Sequence, residues 1–261
     1  MRFGLVCSAI ILTALPAAAQ ERPFLFLTTT AEKAKPAARF DYEVGLGERA
    51  FQSDTSNQPE QRIGVQATLG RVTFLGRFGI SDVGSSYQSS QSAEALYSLI
   101  EPGRRIALAA GGGVLHEADG VNVLLTRVIA GRNTEASRLF GNLVFQKPMA
   151  TDRDAVDLIT SVGWARKLTR GVSLGVEAVG EDLEGFWDSE EAEGGARLLA
   201  GPSLHISPPK GRWQVTATGG PVFHPSDTGR ASSALRDLPP DTRSTSYAFR
   251  VSVSIGLVAD Q

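Results

Sequence analysis

"YAFRVSVSIGLV", Tyr247 to Val258, alternates along its length: Tyr247, Phe249, Val251, Val253, Ile255 and Leu257 are apolar, while Arg250, Ser252, Ser254 and Gly256 stand between them. Side chains of period two belong to a strand with one apolar and one polar face. The apolar face can look into a protein core or out into lipid, and alternation alone leaves both open.

The opening residues, "MRFGLVCSAIILTALPAAAQ", narrow the choice. A positive charge at Arg2, an apolar run from Leu5 to Leu15 and the small residues Ala17, Ala18 and Ala19 have the three-part anatomy of a secretory signal peptide over residues 1–19. The run is shorter than the roughly 17 residues that a spanning helix needs. The one cysteine, Cys7, lies in this leader, so an exported chain starting at Gln20 is expected to have no disulfide and no thiol chemistry.

With 42% hydrophobic and 21% charged residues, the whole chain has the composition of a folded protein. Its 26 basic and 28 acidic residues nearly balance, which gives no footprint for nucleic acid. Short alternating segments recur along it: Ala38 to Leu46, Arg62 to Gly70, Val72 to Ile80, Ala93 to Ile100, Ile106 to Leu115 and Val121 to Ala130, then Leu139 to Gln146, Val156 to Arg166, Val172 to Glu181, Gly195 to His205, Trp213 to Phe223 and Ser246 to Val258. Most match the roughly nine to eleven residues with which a tilted strand crosses a bilayer.

The connections are sorted by parity. "GERAFQSDTSNQPEQ", "SDVGSSYQSSQS", "DLEGFWDSEEAEGG" and "HPSDTGRASSALRDLPPDTRST" follow the first, third, ninth and eleventh segments, whereas Gly70-Arg71, "EPGRR", "LTRG" and "SPPKG" follow even-numbered ones. Long loops at one rim and short turns at the other are the pattern of a closed antiparallel transmembrane β-barrel, and an even count removes every sheet edge. A soluble β domain has no reason to sort its loops in this way, although a soluble ligand-binding barrel remains the architectural rival.

On this reading the apolar residues of the last segment face lipid. The first segment puts Phe40 and Tyr42 outward, with Arg39, Asp41 and Glu43 inward. Phe40, Tyr42, Phe145, Trp164, Trp213, Phe223, Tyr247 and Phe249 are candidates for aromatic girdles. The lumen set is Arg39, Asp41, Glu43, Arg77, Glu94, Asp157, Glu177, Arg197 and Arg250, with Arg250 expected to pair with Asp41 or Glu43 across the closing seam. Such a lumen either conducts small polar solutes or closes as a plug of ion pairs. Arg127 falls on the outward face if Val121, Val123, Leu125 and Ile129 face lipid. "FLFLTTT", Phe24 to Thr30, reads as part of a periplasmic extension over residues 20–37 or as an extra strand, ahead of a barrel over 38–261.

The chain, from about Ala38 to Val258, resembles Gram-negative outer-membrane β-barrel proteins in architecture. The resemblance implies an outer-membrane location, contact with membrane lipid and lipopolysaccharide, insertion by the barrel-assembly machinery, and a channel for a small polar solute as the leading function. A closed structural or surface-interaction barrel is the alternative. A lipid-modifying enzyme would have to use His205 with Ser207, or His224 with Ser226, and neither pair comes with an oxyanion donor. The acidic stretch from Glu181 to Glu193 lacks EF-hand spacing and reads as a solvated loop, and the run "AAGGGV" lacks the end of a phosphate loop. No catalytic residue, metal or cofactor is expected.

Overall fold

A computed structural model describes residues 21–30, 36–47, 60–83, 86–102, 104–117, 120–150, 156–186, 196–209, 211–224 and 245–257. Residues 1–19, read from the sequence as a leader, and the end of the chain beyond Leu257 lie outside them. Twelve strands follow one another: β1 (Ala37–Gly47), β2 (Glu60–Leu69), β3 (Val72–Val83), β4 (Ser86–Ser98), β5 (Ile106–His116), β6 (Asn122–Asn133), β7 (Ser137–Pro148), β8 (Asp157–Lys167), β9 (Val172–Glu181), β10 (Arg197–Ile206), β11 (Trp213–Phe223) and β12 (Thr245–Gly256). Each pairs antiparallel with its chain neighbours, and β12 returns to β1 with Arg39 opposite Gly256 and Gly47 opposite Ala248. The sheet is a closed barrel, so no edge is left with unpaired backbone groups.

Alternation sorts the side chains. Tyr42, Val65, Phe74, Leu143, Val176, Val253 and Ile255 are exposed on the outside, while Asp41, Gln66, Thr68, Asn142, Thr216, Ser252 and Ser254 are buried on the inside. A belt of exposed large apolar residues around a polar, buried interior is the inverse of a soluble protein and is what lipid requires. On β12 the apolar face therefore looks outward. It is apolar because lipid, not a core, is its solvent.

Three sequence readings need correction. On β6 the inward residues are Val123, Leu125, Arg127 and Ile129, all buried, and Leu124 is exposed outside. Both faces of this strand carry aliphatic residues, so periodicity could not orient it, and burial of the Arg127 charge beside Glu94 decides the parity. The stretch expected as a long loop after the third strand is instead largely paired: β3 and β4 continue until Val83 sits opposite Ser86. Polar Ser and Gln residues can extend a hairpin beyond the bilayer, where it needs no apolar face. Finally, residues 21–30 are not an external extension, nor are they a strand; they lie inside the barrel.

The glycine run of β5 has a local cause. A Cβ at Gly111 would lie 2.1 Å from the Ala95 carbonyl oxygen, and one at Gly113 equally close to that of Ala93. The two backbones approach more tightly there than a side chain permits, so glycine is required at both positions.

Candidate functional site

The barrel interior is occupied by the segment Glu21 to Thr30, which bridges opposite walls. On one side the Arg22 backbone N–H donates to Gln214 Oε1 (2.8 Å), its guanidinium donates to Ser252 Oγ (3.1 Å) and Glu43 Oε2 (2.8 Å), and Thr216 donates to its carbonyl (2.6 Å). These partners lie on β11, β12 and β1. Further on, the backbone N–H groups of Leu25 and Phe26 both donate to Glu177 Oε2 on β9, each at 2.9 Å. Thr28 then exchanges two hydrogen bonds with Asn142 on β7: its N–H donates to Oδ1 (2.9 Å) and its carbonyl accepts from Nδ2 (3.0 Å). Glu21 is ion-paired with Arg138.

Apolar packing complements these bonds. Phe24 is fully buried among Leu27, Leu75, Leu96, Ile129, Phe140 and Ala165, with its ring centroid 6.4 Å from that of Phe140. Gly163 makes room for it, since a Cβ there would meet the Phe24 ring at 2.8 Å. Phe26 lies under the Arg250 guanidinium, 5.2 Å away. Of the inward aliphatic residues of β6, Ile129 belongs to this cluster, whereas Val123 and Leu125 pack with Val144 in a second buried apolar cluster.

Around the segment the wall is charged in both signs. Arg250 reaches Glu43 Oε1 (2.9 Å) and Glu60 Oε2 (3.2 Å), stitching β12 to β1 and β2 across the seam. Arg39 pairs with Asp41 (2.8 Å), Arg62 with Glu60 (2.5 Å), Arg197 with Glu181 (3.1 Å), and Arg127 grips Glu94 with both Nε (2.7 Å) and Nη2 (2.9 Å). Buried charges persist only when paired in this way. Between the segment and β1, β2 and β3 a cavity of about 40 Å³ remains, room for about three water molecules.

The structure places Arg39, Asp41, Glu43, Glu94, Asp157, Glu177, Arg197 and Arg250 buried on the interior face, with Arg77 half-buried among them. Tyr42, Phe145, Trp164, Trp213, Phe223, Tyr247 and Phe249 are exposed on the outside, and Phe40 is half-exposed on the same outward parity. Sequence reading missed Glu60 and Arg62, although the inward parity of Gln66 and Thr68 already pointed to them. It also missed Arg22, Arg127 and Arg138. His205 is buried inside the barrel with Nδ1 at 3.0 Å from Thr216 Oγ1, and His116 Nδ1 is 2.9 Å from Asn122 Oδ1. Ser226 and most of the acidic loop, Asp188 to Glu193, lie outside the described residues. Among the described residues no cluster suited to a metal ion is found.

Outside the strands, Asp182 follows β9 with a φ of 46°. Its backbone N–H donates to the Leu158 carbonyl (3.2 Å), and its Oδ1 accepts from the Leu158 N–H (3.3 Å). Burial, followed by the neighbouring charge of Glu181, pushes its carboxyl up to about 7.

No family model and no curated protein matches the chain. Among solved structures it is similar to the KdgM porin in complex with disordered oligogalacturonate, with a TM-score of 0.55 and 10% identity, over 83% of this chain and 98% of that one. It is also similar to the outer-membrane expressed OmpT of Vibrio cholerae (TM-score 0.42, 9% identity, 85% and 97% covered) and to the translocator domain of the autotransporter NalP from Neisseria meningitidis (0.38, 13%, 88% and 89%). At these identities the likeness is one of fold, and that fold is the outer-membrane β-barrel.

Proposed function

We propose that the protein is an outer-membrane channel for small polar solutes whose own residues 21–30 hold it closed. The observation that carries this reading is the way the segment sits: it crosses the lumen on hydrogen bonds and ion pairs to β1, β7, β9, β11 and β12 without joining the sheet. Such contacts can be exchanged for water or solute one at a time, whereas a thirteenth strand could leave only by opening the barrel. The likeness in fold to a porin solved with an oligogalacturonate supports a lumen that admits polar solutes. In this setting outer-membrane lipid and lipopolysaccharide surround the apolar belt, and the barrel-assembly machinery inserts the chain.

The second reading, a closed structural or surface-interaction barrel, is favoured by the dry cluster around Phe24 and Leu27. Planar-bilayer recording separates the two. The protein lacking residues 21–30, once shown to be folded by its heat-modifiable migration on gels, is expected to give sustained conductance steps where the intact protein is mostly silent. A folded deletion variant as silent as the intact protein would overturn the channel and leave the closed barrel.

A further inference from the structure

The geometry points to a binding site for a small oxyanion, a carboxylate or inorganic phosphate, in the cavity between the N-terminal segment and β1, β2 and β3, with Arg77 as its anchor. It goes beyond the channel reading and does not depend on it.

The first observation is an imbalance of charge. Six guanidinium groups gather on this side of the lumen: Arg22, Arg39, Arg62, Arg77, Arg127 and Arg250. Four carboxylates, on Asp41, Glu43, Glu60 and Glu94, take up five of them in ion pairs. Among the described residues Arg77 has no carboxylate partner, and its hydrogen bond goes from Nη2 to the Thr28 hydroxyl at 3.3 Å. Like charges on Arg127, Arg22 and Arg62 lie within its electrostatic reach, with Glu94 opposing them. A guanidinium offers a planar fork of five N–H donors that matches an oxyanion, and most of this fork has no acceptor among the described residues.

The second observation is independent of charge. Gln66, 3% exposed, lines the same cavity, and its Oε1 is taken by Arg39 Nη2 at 2.8 Å. This contact fixes the amide, and the Nε2 on its other side is buried with no partner among the described residues. An unmet donor in the interior is costly, and this one, together with the Arg77 fork on the same polar cavity, calls for an acceptor. A carboxylate or phosphate fits the cavity, brings the missing negative charge and accepts from both groups. A long sugar acid does not fit while the segment is in place.

The test uses the folded full-length barrel in detergent. The temperature at which the folded, heat-modifiable band is lost is followed in sodium phosphate and in sodium acetate, against sodium chloride of matched ionic strength. A bound anion raises this temperature saturably, and comparison of the two salts tells phosphate from carboxylate. Arg77→Gln is expected to move the half-saturating concentration at least tenfold upward, and Gln66→Leu, which changes no charge, moves it in the same direction. Arg71→Gln, at an exposed turn residue, leaves it unchanged. An equal rise in wild type and Arg77→Gln, or no saturable rise with either anion in folded wild type, would overturn the site and leave the cavity to water. Since the readout involves no conductance, a failure here leaves the channel reading untouched, and the converse also holds.

Discussion

Arg127 shows how a single charge can carry more information than the pattern around it. In "VNVLLTRVIAG" aliphatic residues occupy both parities, so counting apolar positions puts Val123 and Leu125 in lipid and leaves the arginine stranded there. The structure reverses this: Arg127 is buried against Glu94 and the aliphatic residues on its face pack inside. The cost of an arginine in hydrocarbon, about 2–4 kcal/mol at the midplane, exceeds that of a few aliphatic side chains turned inward, so the charge decides the register. Asp182 is informative in another way. Its carboxyl is held near 7, above the ordinary value of 3.8, so the folded state binds its proton more tightly than the unfolded chain does. The stability this provides is complete below the unfolded value and is lost as pH rises through about 7. Unfolding midpoints measured from roughly pH 4 to pH 8 should therefore fall more steeply for wild type than for Asp182→Asn, which keeps the left-handed backbone acceptable and carries no titrating proton.

At the scale of elements, the strands were legible and the plug was not. The alternation of β1, β11 and β12 reads directly from their residues, because lipid on one side and polar groups on the other enforce strict period two. "FLFLTTT" has no such period. Its partners are Glu177 and Asn142, distant in sequence and recruited to backbone groups, a kind of contact that leaves no local signature. The one clue was Gly163 on β8, where an inward side chain is missing at the site where Phe24 enters. Gly163→Val fills that space. It is expected to expel the Phe24 ring and expose residues 21–30 to added protease while the barrel keeps its heat-modifiable migration. An unchanged digestion pattern would show that the segment is held by its polar contacts alone.

For the molecule as a whole, the belt of exposed apolar residues sets where substitutions hurt. Val176, midway along β9, and Leu69, at the short-turn end of β2, are both more than half exposed on the outer surface. Unfolding by urea in lipid vesicles should find Val176→Arg destabilised by about 2–4 kcal/mol and Leu69→Arg by about 1 kcal/mol or less, because the penalty depends on depth. Equal effects would mean that the surface does not face a bilayer. Loop parity made this architecture readable from the sequence at four of the connections, although one of those "loops" proved to be a paired hairpin.

The seat of Arg22 also has a bearing on time. This side chain and its backbone reach Gln214 and Ser252 on the final two strands, yet the chain that carries them runs directly into the first. Residues 21–30 consequently have no complete seat until β12 has zipped onto β1, and a half-built barrel leaves them dangling. Docking of the segment is therefore expected to follow closure of the seam, so protection of residues 21–30 from protease would work as a built-in seal of completion: a barrel stalled with its seam open would be betrayed by this segment.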